Sequence, residues 1–144
     1  MLRYEELSLN AWPALKTILF RGCLLRLSNG YTKRANSANP LYSGDEDLEV
    51  VIDYAESLYG GHCLPAVFKL VGMPRYCRLD ELLAVREYEL VDRTHVMTLE
   101  LQVLHGDAGK VVKVESAISR QWFDSYAACN QLKAEHYETA WNIL

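Results

Sequence analysis

Four side chains that could hold a small anion or an amide stand close together: Arg26, Arg34, Asn36 and Ser37. A guanidinium offers a planar fork of N–H donors that matches a carboxylate. Amide and hydroxyl groups can both donate and accept. The group flanks Asn29-Gly30, a dipeptide that accepts the positive φ of a type I′ hairpin turn. A two-residue turn there would pair Ser28 with Tyr31, Leu27 with Thr32 and Leu25 with Arg34. Cys23, Leu25, Leu27, Thr32, Arg34 and Asn36 would then share one face. Leu24, Arg26, Tyr31, Lys33, Ala35 and Ser37 would share the other. Neither face is cleanly apolar, so the hairpin reads as a wet edge or as the lining of a polar cleft.

Other chemistry is weaker. His62 and Cys63 are neighbours, but adjacent strand residues point to opposite faces and no third group is evident to orient the imidazole. His95 reads as a structural or surface histidine at a strand start. Asp45, Glu46, Asp47 and Glu49 lack the spacing of a calcium loop and read as a solvated helix start. "HGDAGKV" ends in Gly-Lys without the rest of a phosphate-binding loop, and no G-x-G occurs in the chain. Cys23, Cys63, Cys77 and Cys129 form no C-x-x-C and read as reduced thiols, so no metal site is expected.

The elements that must position these residues follow from spacing. Residues 5–19 read as a short helix with Ser8 or Asn10 as cap and Pro13 in its first turn. Residues 18–27 read as one strand and 31–37 as its partner. From Leu48 to Tyr59 apolar residues fall at 48, 51, 52, 55, 58 and 59, which is helical, and Gly60-Gly61 should stop that helix. Residues 64–72 read as a short buried strand, 76–88 as an amphipathic helix and 88–104 as one or two strands. A turn at 105–109 and a short linker strand lead to two helices between Ser116 and Leu144. The last stretch, "ETAWNIL", keeps helical periodicity without a stop signal and reads more as a cut than as an ending.

The chain has 144 residues, half of them apolar, enough for a domain with a real core. Its net charge of −4 argues against nucleic acid and against an anionic membrane surface as partners. The acidic start does not suit a secretory signal, which places the chain in the cytoplasm.

Several short motifs occur in an order that resembles one family. They are Gly22-Cys23-Leu24-Leu25-Arg26, Gly30-Tyr31-Thr32-Lys33-Arg34-Ala35-Asn36-Ser37, Val67-Phe68-Lys69 and Val96-Met97-Thr98. Residues 10–104 resemble the N-terminal half of a bacterial group within the GNAT superfamily of acyl-CoA-dependent N-acyltransferases. One departure is Arg86-Glu87-Tyr88, where Gly-Tyr is usual. The resemblance implies an α+β fold, with a GNAT-like mixed but mostly antiparallel sheet flanked by helices. It implies a first domain over 1–104, a linker over 105–115 and the first helices of a second, catalytic domain over 116–144. It implies transfer of acetyl from acetyl-CoA to a primary amine, with this segment recognising substrate or serving structure. The alternative is a non-catalytic ligand-binding or dimerisation module. The superfamily's acetyl-CoA loop is absent, so the cofactor is expected in the protein's own C-terminal domain and not in this chain. No catalytic residue can be placed. Arg26, Arg34, Asn36 and Ser37 are the expected substrate contacts, and the apolar faces around Trp122, Phe123, Tyr137 and Trp141 suggest a homodimer.

Overall fold

A computed structural model describes residues 2–42, 48–100 and 115–144. The acids at 45–47, the turn at 105–109 and most of the linker lie outside the described residues. The first helix, α1, spans Leu2–Ala11. The helix expected over 5–19 thus ends before Pro13, because proline disfavours helical backbone in the residue before it, and residues 16–19 are strand instead. The chain leaves α1 at Trp12-Pro13 and enters strand β1, Lys16–Phe20.

β1 pairs antiparallel with β2, Cys23–Leu27, placing Phe20 opposite Cys23 and Lys16 opposite Leu27. The stretch expected as one strand is therefore two, folded at Arg21-Gly22 with φ of 46° and 77°. Glycine is required at the second position, since a Cβ there would lie 2.4 Å from the Tyr42 carbonyl oxygen.

Asn29-Gly30 also turns, with φ of 49° and 72°, and Tyr31 N–H donates to the Ser28 carbonyl at 2.9 Å. No ladder follows. Lys33–Ala35 instead form a 3₁₀ turn whose Ala35 N–H reaches Thr32 Oγ1 at 3.2 Å. Side-chain bonds of this kind compete with strand pairing, and here they win. Strand β3 is only Ala38–Pro40, and it sets Ala38, not Arg34, opposite Leu25. The sheet order is β1-β2-β3. The strand expected over 64–72 is reduced to a parallel bridge from Phe68 to Ala38.

β2 is central and covered on both sides. Cys23, Leu25 and Leu27 pack against Val51, Ala55 and Tyr59 of α2, Leu48–Gly61. Burial pushes the Cys23 thiol up to about 12, so it is no nucleophile at neutral pH. Ile52 on the next stripe of α2 meets Leu79 and Leu83 of α3, Cys77–Val85. Helix α4, Arg120–Cys129, and helix α5, Tyr137–Ile143, close around Phe123, Ala127 and Ala140. This is an α+β fold. Residues 89–100 carry no regular secondary structure, and Leu90, Val96, Met97 and Leu99 are exposed. The strand expected there finds no partner edge among the described residues.

Three helices end alike. After α2, Cys63 takes φ of 56°, its N–H donates to Gly60 and that of Leu64 to Tyr59. α2 thus runs through Gly60-Gly61, expected to stop it, and turns three residues after the first glycine. Glu87 does the same after α3 with φ of 62°, and Gln131 after α4 with φ of 50°. In each, paired amides satisfy the last carbonyls around a left-handed residue, the position where glycine is favoured. Glu87 stands where the resembling family has glycine, so Glu87→Gly should stabilise the chain by about 1 kcal/mol. A higher urea midpoint at unchanged slope is the expected result.

Candidate functional site

The four expected contact residues divide sharply by location. Arg26 lies in the middle of the central strand and is 2 % exposed. Its guanidinium donates to the carbonyls of Arg34, at 2.8 Å, Leu9, at 3.4 Å, and Trp12. It ties α1's exit and the 3₁₀ turn to the sheet. Burial lowers its pKa, but an arginine remains charged at neutral pH. Behind it, the buried Tyr59 hydroxyl donates to Arg26 O at 3.1 Å and accepts from Arg26 N at 3.2 Å.

Asn36 is equally occupied within the fold. Its Oδ1 accepts from Ser28 N, at 2.7 Å, and Gly30 N, at 3.1 Å, while its Nδ2 donates to Thr32 O at 2.8 Å. It is the pin of the Asn29-Gly30 turn. Ser37 is buried, and its Oγ and carbonyl both accept from Asn39 Nδ2. Only Arg34 of the four stands in the open.

Arg34 lines a cleft of about 640 Å³. Trp12, Tyr31 and Thr32 stand with it on the sheet side, and Tyr126, Asn130, Lys133 and His136 face them from the C-terminal helices. The Asn-Gly turn docks those helices. Asn29 Nδ2 donates to Thr139 Oγ1 at 3.1 Å, and the hydroxyls of Tyr31 and Tyr126 meet at 2.8 Å. Burial, followed by that hydrogen bond, raises the Tyr31 pKa, which keeps this phenol protonated at neutral pH. Trp12 and Tyr31 stack at 6.3 Å, and the Arg34 guanidinium sits 5.7 Å from the Trp12 ring centroid.

His136 is the residue that sequence reasoning missed. Its ring lies 5.7 Å from Tyr31, its Nε2 is 3.6 Å from Glu135, and its buried Nδ1 has no partner among the described residues. No motif marks it. It reaches the cleft only because α4 and α5 fold back on the turn. The charges lining the cleft are Arg34, Lys133 and, when protonated, His136, and no carboxylate lines it. His62 and Cys63 lie elsewhere, with His62 Nδ1 against Leu58 O at 2.8 Å in the α2 terminus.

A pyrophosphate needs backbone amides gathered at a helix start, usually opened by glycine. Among the described residues Gly22 and Gly30 lie in turns, Gly60 and Gly61 in the last turn of α2, and Gly72 in a loop. None opens a helix, so these residues do not fit the phosphates of acetyl-CoA. Among the described residues no three histidine, cysteine or acidic side chains gather as metal ligands would, and no helix is long and apolar enough to cross a membrane.

Residues 3–140 match the family model described as "Probable histone acetyltransferase Rv0428c C-terminal", and the chain belongs to that family. It is an acetyltransferase-related protein by that membership. The description also corrects the resemblance in one respect, since the matched region is a C-terminal one and not an N-terminal half. No curated protein and no solved structure gives a significant match.

Proposed function

We propose that this chain is the acceptor-recognising part of a GNAT-type N-acetyltransferase that moves acetyl from acetyl-CoA to a primary amine in the cytoplasm. The family match over residues 3–140 is the observation that carries the reading. The cleft between the 3₁₀ turn and the C-terminal helices gives the acceptor a place to bind, with Arg34 as the substrate contact. Arg26, Asn36 and Ser37 act behind it by fixing the wall on which Arg34 stands. Acetyl-CoA is held by residues outside these 144; the chain contains no G-x-G, and none of the described glycines opens a helix.

Calorimetric titration of acetyl-CoA into the 144-residue chain, beside a chain extended along its gene, tests the assignment. Binding and release of free thiol in the presence of amines are expected from the extended chain only. Tight binding by the short chain would mean that another loop takes the pyrophosphate. Failure of the extended chain to release thiol would overturn acetyl transfer itself.

A second reading, a non-catalytic dimerisation module, is favoured by a different observation. Trp122 is 50 % and Trp141 39 % exposed on neighbouring helices. A dimeric mass by light scattering without acceptor binding would support it.

A further inference from the structure

We infer that the cleft binds a small aromatic carboxylate, with Arg34 as the anchor of its carboxyl group. The inference rests on the acceptor reading above and names the acceptor's class: a primary amine that carries both an aromatic ring and a carboxylate, not a lysine in a basic protein tail.

The charge of the site carries the argument. The protein has a net charge of −4, yet the permanent charges lining the cleft are those of Arg34 and Lys133, and no carboxylate is among the lining residues. A lysine-rich segment would bring cations to cations. Lys133 is partly compensated, its Nζ lying 3.7 Å from Glu135 Oε1. Arg34 has no such partner among the described residues. Its guanidinium carbon lies 5.7 Å from the Trp12 ring centroid. With no hydrogen bond or ion pair to its side chain among the described residues, the N–H fork is available for bidentate binding of a carboxylate.

The walls define the rest of the ligand. The rings of Trp12, Tyr31 and Tyr126 and the side chain of Leu132 line the same space. Aromatic faces set among polar side chains suit a flat organic molecule that also carries hydrogen-bonding groups, and about 640 Å³ is within the range for one. A bare inorganic anion would leave those walls unused.

The test is a set of calorimetric titrations into the full 144-residue chain without acetyl-CoA. The probes are L-phenylalanine, 3-phenylpropionate, L-phenylalaninamide and a tetralysine peptide. The two carboxylates are expected to bind saturably, the amide at least tenfold more weakly, and the peptide not at all. Arg34→Gln should weaken the carboxylates at least tenfold, and Arg34→Lys by less. Arg120→Gln, at an exposed cation paired with Asp124 at 3.1 Å, should leave them unchanged. Equal binding of acid and amide, binding of the peptide alone, or absence of saturable binding by both carboxylates would each overturn the inference. The acetyl-transfer reading is judged separately, by thiol release from the extended chain. Saturable binding of the carboxylates with no thiol release by the extended chain in the presence of L-phenylalanine or other amines sinks that reading and leaves the site. An acetylated lysine peptide does the reverse.

Discussion

Arg26→Ala is expected to lower the unfolding free energy by about 3–5 kcal/mol, much of the stability of a domain this size. The guanidinium is buried in the central strand and holds carbonyls from three segments: Leu9 in α1, Trp12 just after it, and Arg34 in the 3₁₀ turn. Removing it leaves those acceptors without their donor, and a charge-assisted bond of this kind contributes roughly 1.5–3 kcal/mol. Arg26→Met keeps most of the apolar stem and should lose nearly as much, which separates the hydrogen bonds from the packing. Arg26→Lys should recover only part, since one ammonium cannot reproduce a planar fork. Urea unfolding at unchanged slope measures all three. A loss under about 1 kcal/mol for Arg26→Met would show that water or neighbouring donors serve these carbonyls as well.

Phe123→Ala is the second large effect, about 3–5 kcal/mol. The ring is fully buried and meets Trp141 edge-on at 5.1 Å and Tyr137 edge-on at 5.7 Å. It is the centre of the cluster that joins α4 to α5, with Ala127 and Ala140 beside it. The loss should be local in character. Amide hydrogen exchange is expected to quicken in Arg120–Cys129 and Tyr137–Ile143 well before it does in β2, and the cleft should lose its helical wall. Uniform acceleration across β2 and α2 would mean that the helices and the sheet unfold as one unit.

Much of the fold can be read from the chain, and the failures have one cause. Long helical spacing is reliable: α2 appears where Val51, Ile52, Ala55 and Tyr59 demand it. Asn29-Gly30 was legible as a left-handed turn, and it is one. The turn at Arg21-Gly22 was hidden because arginine rarely takes positive φ and apolar runs on either side imitate a single strand. The stretch 31–37 looked like an awkward polar strand. Its polarity is explained by local bonding, in which Thr32 and Asn36 hold the backbone of two consecutive turns. Spacing rules assume that backbone groups bond to other backbone, and here side chains take that role. The site was half legible for the same reason. Arginine, asparagine and serine signalled a polar feature, but only contacts across the chain show that Arg26 and Asn36 face inward and Arg34 outward. His136 could be found only in three dimensions.

The buried guanidinium of Arg26 holds the carbonyl of Arg34, the residue whose side chain reaches into the cleft. The sheet-side wall is thereby tied to the central strand. Its disorder is removed during folding, so a ligand arriving there meets a wall that need not be ordered again. The opposite wall is joined to it through the Tyr31–Tyr126 and Asn29–Thr139 hydrogen bonds and the packing of Tyr31 on the Phe123 cluster, none of which reaches the central strand. Recognition on such a surface is asymmetric: one side is held by the sheet, and the other by the turn.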